Sequence, residues 1–492
     1  MTFPKTLTVR FLLCLFFVVA IAAAPRKALA SGDYGCSRIW RMAHHNYESC
    51  SNMAMLSPGN DTRVNLLLLM ADLRPSTLPA GIQAKAGNPP LFTWEDIADL
   101  PEQGASYGAN TPTDEESKPC TLSKDDEFVA AVQVDPLLTP AERVALLDAR
   151  THVQEGCTSE TMAAALVSAA RSTSSPAARS YVQYLRGAAK FWQMDDAGAV
   201  AVFQPLVSAQ TLWVRETSAY MAARALLRLV QVGAFDEYGE MTERWHAEPS
   251  RVVSAQAALD LYLQQYPRGR YTKSARGLKR RSYWLAGDTL HLTDEYSALL
   301  SQTPEQRGFS DADLLQEIDN KISIIPSNSG SPLSDLSASE PQKNTHSPLL
   351  LAMLDFASMR TLERTNPESD RQTILDKTLS LATLQQQRQY FEGNLPLYEL
   401  LLATHAFYVE KNPAEVLKLL PDNTRQGYYT YLQFSRQTLR GMALEALKDH
   451  NSLAFWTSML PASKSPFQRS ALELAIAWLA QCEYRNDLSP CP

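Results

Sequence analysis

The sequence lacks the short motifs that mark the common classes of enzyme. It contains no GxSxG nucleophile elbow, no HExxH zinc helix, no phosphate-binding P-loop and no GxGxxG dinucleotide fingerprint. It also lacks a basic excess, because 46 lysines and arginines face 53 aspartates and glutamates. A general nucleic-acid binder needs a basic surface to displace the counterions of the phosphate backbone. We therefore predict a protein that is not an enzyme, needs no cofactor and binds no nucleic acid.

Long apolar runs are absent after the first 30 residues, which have the features of a secretory signal. Lys5 and Arg10 precede an apolar core at residues 11–24, and Ala28-Leu29-Ala30 supplies the small residues of a cleavage site. This core of about 14 residues is too short to span a bilayer comfortably. Cleavage would change the formal net charge from -7 to -11, because four basic residues leave with the signal. We expect an exported, soluble chain without a transmembrane segment.

Cysteine is scarce, with seven in the chain, of which Cys14 lies in the signal. An even number of the remaining cysteines in an exported protein indicates disulfides. Six cysteines allow 15 connectivities, and proximity in sequence favours one of them. The favoured pairs are Cys36–Cys50, Cys120–Cys157 and Cys482–Cys491. His44 and His45 raise a zinc alternative for the first pair, but no CxxC or HxxxH spacing supports a tetrahedral site. No metal is expected.

Helical periodicity dominates from residue 126 onward and is clearest in residues 255–300. There, apolar residues recur every three to four positions in three successive stretches, and Pro267, Gly269 and Gly287 interrupt them. None of these helices can bury its apolar stripe alone, so antiparallel pairs must stack on one another. The sequence predicts an all-α fold: an α-solenoid of degenerate helix pairs with an irregular, disulfide-bounded N-terminal region.

The central stretch resembles the tetratricopeptide repeats of the outer-membrane assembly lipoprotein (BamD/YfiO-like) family. In that family one helix ends in Tyr-Pro, a short turn carries an aromatic residue, and the next helix closes with Gly-Asp. The matching residues here are Ala255, Leu259, Tyr262, Leu263, Tyr266, Pro267, Tyr271, Ala275, Tyr283, Gly287 and Asp288. The resemblance covers about one repeat and implies a helical-repeat binding module in the periplasm of a Gram-negative bacterium. Unlike that family, the chain has no convincing lipidation site.

Composition divides the chain into five segments. Residues 1–30 are the signal peptide, and residues 31–125 form an N-terminal cap and a long loop. Residues 126–322 form a first helical-repeat array and residues 348–492 a second. Between them, residues 323–347 are rich in serine, proline and asparagine and bury too little apolar surface to order themselves, which predicts a flexible linker.

A run of basic residues without an acid stands out in the central stretch. The candidate partner-binding residues there are Arg268, Arg270, Tyr271, Lys273, Arg276, Arg280, Tyr283 and Trp284. Arginine, tyrosine and tryptophan are the types that dominate binding hot spots. Lys273, Arg276 and Arg280 share one helical face and are expected to be exposed, where they would receive a partner's carboxylates, an anionic glycan or a lipid headgroup. Alternatively, the cations form a solvated face and the aromatics pack between repeats.

Two functions fit this sequence. The first is a periplasmic protein-binding or scaffold module of the cell envelope that acts without catalysis on another envelope protein. The alternative is an envelope enzyme acting on peptidoglycan, resembling the superhelical lytic transglycosylases. Those enzymes add a compact catalytic domain, and no segment here has its character, so the first function is preferred.

Overall fold

A computed structural model describes residues 52–74, 94, 127–155, 160–235, 242, 245–322, 345–359, 379–423, 427–463 and 465–484. The described residues are helical apart from turns and connections, and no extended strand occurs among them. This confirms the all-α prediction. The predicted signal, all six cysteine side chains expected to form disulfides, and residues 323–344 of the predicted linker lie outside the described residues.

Twelve helices are described before residue 323. Their bounds are α1 (Thr62–Leu73), α2 (Glu127–Val134), α3 (Pro140–Glu155), α4 (Glu160–Ser172), α5 (Pro176–Trp192), α6 (Asp196–Leu206), α7 (Leu212–Val230), α8 (Pro249–Gln265), α9 (Thr272–Leu285), α10 (Thr289–Leu300), the single turn α11 (Pro304–Arg307) and α12 (Asp311–Ile322). Helices α5 to α9 make most of their contacts with their neighbours in sequence.

The helices after residue 344 are shorter on average. They are α13 (Pro348–Ser358), α14 (Leu381–Gln387), α15 (Leu395–Tyr408), α16 (Pro413–Leu419), α17 (Tyr431–Ala446), α18 (Ser452–Met459) and α19 (Pro466–Tyr484), with 3₁₀ turns at Arg388–Asn394 and Leu460–Ala462. Proline opens α13 and α16 as it opens α3 and α5, because its missing N–H is not needed in a first helical turn.

Close packing of α5 on α6 depends on one small residue. A Cβ atom added to Gly187 would lie 2.6 Å from the Phe203 ring, so glycine lets that ring approach the backbone of α5. Phe203 and Ala199 of α6 are fully buried. A small residue on α5 facing a large ring on α6 lets the two helices pack closely.

The N-terminal helix α1 packs between elements that are far away in the sequence. It contacts α12, α13 and α17. The two oxygens of the Asp72 carboxylate accept hydrogen bonds from the backbone N–H groups of Tyr431 and Leu432, each over 2.7 Å, and so cap α17. One cluster of buried side chains accordingly includes α1 and residues on both sides of the predicted linker, from Met53 to Ala475.

A second buried cluster extends from Phe128 to Ala275 and joins α2 to α9. It meets the larger cluster at α7, α8 and α9, which contribute side chains to both. Within the described ranges, no helix is both long enough and apolar enough to cross a membrane.

Candidate binding surface

Aromatic side chains from three helices that are not consecutive in sequence meet on one side of the second cluster. Helix α5 contributes Tyr181 and Tyr184, α7 contributes Trp213 and Tyr220, and Tyr271 stands immediately before α9. The Tyr181 and Trp213 rings stack with centroids 5.9 Å apart, and the Tyr220 and Tyr271 rings stack at 4.4 Å. We call these five residues the aromatic face.

Helix α2 lies against the aromatic face through Phe128. The Phe128 ring meets Tyr181 and Trp213 edge-on, each at a centroid distance of 5.6 Å, and stacks on Tyr184 at 6.1 Å. Such geometries add stabilisation beyond the burial of area. Phe128 is 2% exposed, although most of α2 around it faces solvent.

Tyrosine hydroxyls of the aromatic face pair with carboxylates at both ends of α2. The Tyr271 hydroxyl donates to Oε2 of Glu127 over 2.7 Å, and the Tyr181 hydroxyl donates to Oδ2 of Asp135 over 3.1 Å. Burial raises the pKa of Tyr271 and of Tyr181, and the carboxylate that accepts each hydrogen bond adds to the increase. Both hydroxyls therefore remain donors at any physiological pH.

Glu216 of α7 anchors the turn between α8 and α9. Its Oε1 atom accepts a hydrogen bond from the Tyr262 hydroxyl over 3.1 Å and one from the backbone N–H of Arg270 over 2.6 Å. The side chain of Arg270 is left outside this arrangement and is exposed. The turn that resembles the tetratricopeptide pattern is thus held against the neighbouring helix, beside the aromatic face.

Four of the predicted site cations lie on the surface in and just after the turn that carries Tyr271. Arg268, Arg270, Lys273 and Arg276 are exposed, and no carboxylate of the described residues forms an ion pair with them. We call these four residues the basic edge. Exposed charges of one sign without local compensation attract groups of the opposite sign.

The expectation that Arg280 is exposed is wrong. Arg280 is 5% exposed, and its guanidinium binds Glu317 of α12 through Nε at 2.8 Å and Nη2 at 3.0 Å. The Tyr296 hydroxyl donates to the same carboxylate over 3.0 Å. Burial alone would raise the pKa of Glu317, but Lys321, Arg280 and the hydrogen bonds outweigh it and lower that pKa to about 2. Helical spacing places Arg280 on the same face as Lys273 and Arg276. It cannot predict a contact with Glu317, which lies 37 positions later in the chain.

Tyr283 and Trp284 are interior residues. Trp284 is 1% exposed and belongs to the larger core cluster, and Tyr283 is 8% exposed with its ring stacked on His291 at 5.2 Å. Neither side chain is available to a partner in this conformation. Their burial agrees with the alternative that these aromatics pack between helices.

Residues of the aromatic face other than Tyr271 escaped the sequence analysis. Tyr181 and Tyr184 are three positions apart and Trp213 and Tyr220 seven apart, so periodicity assigns each pair to one helical face. The pattern does not say that the two faces meet, or that α2 covers them. Only the three-dimensional stacking of α5, α7 and α9 brings these side chains together.

Groups that could support catalysis are sparse in the described ranges. No three histidine, cysteine, aspartate or glutamate side chains there are placed to hold a metal ion. His405 is an interior residue, 3% exposed, and its Nε2 lies 2.9 Å from the carbonyl oxygen of Leu379. Comparison with protein-family models, with curated proteins and with solved structures finds no match to this chain.

Proposed function

We propose that this chain is an exported periplasmic protein of a Gram-negative cell envelope that binds another envelope protein without catalysing a reaction. It acts as a scaffold module built from degenerate, tetratricopeptide-like helix pairs. The export signal and the resemblance of residues 255–288 support the compartment. The succession of contacts from α5 to α9, each helix packing mainly on its sequence neighbours, supports the solenoid.

The observation that carries this proposal is the basic edge beside the aromatic face. Arginine is enriched in binding hot spots, where its guanidinium group supplies charge. Tyr181, Trp213 and Tyr220 of the aromatic face are themselves buried, so the exposed cations carry the proposal. The chain as a whole is acidic, with a formal net charge of -7, so four exposed cations that form no ion pair with a described residue are distinctive. A partner segment that presents carboxylates would complement them.

The experiment compares capture of envelope proteins by three forms of the chain. The unmodified protein, the edge variant R268E/K273E/R276E and the control variant K418E/K448E/R469E are immobilised and exposed to envelope extract. The control removes the same charge from exposed positions of the C-terminal helices. We expect the unmodified and control proteins to recover the same partner, and the edge variant to recover at least about tenfold less, a loss of about 1.4 kcal/mol.

Two results would overturn the proposal. In the first, the edge variant folds normally and retains every partner of the unmodified protein. In the second, the purified chain releases fragments from isolated peptidoglycan, which is the activity of the alternative function. If the edge variant keeps its protein partners but loses co-sedimentation with phosphatidylglycerol vesicles, the edge binds lipid headgroups and not a protein.

A further inference from the structure

Helix α2 has the contacts of a bound ligand on the aromatic face. Two of its side chains, Phe128 and Val132, are buried and lie four positions apart. A carboxylate stands at each end of the helix: Glu127 receives the Tyr271 hydroxyl and Asp135 receives the Tyr181 hydroxyl. The segment thus combines apolar anchors one helical turn apart with acidic ends, as amphipathic helices do when they bind in a groove.

We infer that α2 is an internal ligand, which occupies within the same chain the surface on which a partner segment binds. The inference rests on the proposed binding function and specifies its partner. That partner carries a short amphipathic helix with an aromatic residue and an aliphatic residue four positions apart, flanked by carboxylates. It binds by displacing α2 from the aromatic face.

The small extent of α2 makes displacement feasible. The helix has only eight residues, and helices of this length do not persist in water without tertiary contacts. Val134, its last residue, is 78% exposed, and Leu137 in the following turn is 50% exposed. Few buried contacts and exposed backbone are features of segments that open locally without global unfolding.

Helix α2 also leaves one donor of the aromatic face unsatisfied. The indole N–H of Trp213 is buried and has no hydrogen-bond partner within the described part of the chain. Buried polar groups normally have a hydrogen-bond partner, and a buried donor without an acceptor destabilises the conformation in which it occurs. A partner segment with a hydrogen-bond acceptor beside this ring would satisfy the indole N–H and would therefore bind the face more favourably than α2 does.

Charge explains the acidic ends assigned to the partner. Both hydroxyls that reach α2 donate to carboxylates, and the positive charge of Arg270 acts on Tyr181. The rest of the basic edge adds positive charge beside Tyr271, and the described part of α2 carries no basic residue. A segment with carboxylates at both ends therefore suits this surface better than a neutral or basic one.

The test measures binding of a labelled synthetic peptide, residues 124–137 of this sequence, to the full chain. The variant Phe128→Ala weakens the hold of α2 and should expose the face, whereas Val134→Ala alters an exposed residue of the same helix. Because a binding surface that is rarely open lowers apparent affinity by its open fraction, we expect the peptide to bind F128A at least about tenfold more tightly than it binds the unmodified chain or V134A. A peptide lacking the phenylalanine should bind none of them.

Two results would overturn the inference, one for each variant. If F128A keeps the circular dichroism of the unmodified chain but binds the peptide no more tightly, α2 is a fixed cap of the array. Should F128A fail to fold, the double variant E127Q/D135N decides, because it weakens both hydroxyl contacts without opening a cavity. Tighter peptide binding to it supports the inference, and equal binding overturns it.

The outcome is separable from that of the proposed function. Peptide binding to F128A together with no captured envelope protein would uphold the internal ligand and remove the envelope scaffold. The opposite combination is capture that depends on the basic edge without peptide binding to F128A or to the double variant. It would uphold the envelope scaffold and rule out α2 as an internal ligand.

Discussion

The Tyr271 hydroxyl donates a hydrogen bond to the Glu127 carboxylate over 2.7 Å, although 144 positions separate the two residues. This contact joins the start of α2 to the turn before α9. It holds α2 on the aromatic face, beside the turn that carries Arg268 and Arg270.

The ion pair between the buried Arg280 and the half-buried Glu317 should contribute to stability. We expect Arg280→Ala to lower the free energy of unfolding by about 1.5–3 kcal/mol, because Glu317 loses its bidentate partner but keeps Lys321 and the Tyr296 hydroxyl. Urea denaturation followed by circular dichroism measures the change.

The matched control for that substitution is Arg276→Ala on the same helix. Arg276 is exposed and has no ion pair among the described residues, so its loss should change the free energy of unfolding by less than about 0.5 kcal/mol. Equal effects of the two substitutions would contradict the burial of Arg280.

Glu445 should make the protein less stable as the pH rises from about 4.5 to about 7. Burial raises the pKa of Glu445 to about 7, and the hydrogen bond from the Trp456 indole only partly opposes this. The unfolded chain ionises this carboxyl near pH 4.5, whereas the folded chain holds the proton until about pH 7. The free energy of unfolding therefore falls by up to about 3 kcal/mol between about pH 4.5 and about pH 7. Above about pH 7 this carboxyl causes no further loss.

The variant Glu445→Gln should remove this pH dependence and raise stability at pH 8, because a neutral amide can still accept the indole hydrogen bond. Unfolding in urea at pH 5 and pH 8 measures it. Glu473→Gln, at an exposed position of α19, is the control. Identical pH profiles for E445Q and the unmodified chain would show that Glu445 has an ordinary pKa.

Much of the helical architecture follows from local sequence, and the binding surface does not. The start of Thr62–Leu73 follows from Asp61, which caps it, and the apolar run of this helix forces its burial. Pro140 likewise marks the start of Pro140–Glu155. Contacts such as Arg280 with Glu317, or α1 with α17, join positions that no local period relates. For the same reason the sequence placed Arg280 outside and gave no sign that α2 covers Tyr181 and Trp213.

Gly187 should tolerate no larger residue. Gly187→Ala places a Cβ atom 2.6 Å from the Phe203 ring, so either the ring or α5 must shift. We expect a loss of about 1–3 kcal/mol in the free energy of unfolding.

Gly277→Ala in α9 is the matched control, since the nearest neighbour of the added Cβ atom would be the Arg280 guanidinium at 3.7 Å. There the better helix propensity of alanine should stabilise the chain by up to about 1 kcal/mol. Stabilisation by both substitutions would refute the close packing of α5 on α6.

Photo-crosslinking in living cells tests the central claim, that a partner protein binds at the basic edge, most directly. A photoreactive amino acid is placed at Arg270 or at Lys273, and at Lys418 as an exposed position in the C-terminal helices. The account predicts that both edge positions yield the same crosslinked protein in the periplasmic fraction, and that Lys418 does not. No adduct at either edge position, or the same adduct from Lys418, would contradict it.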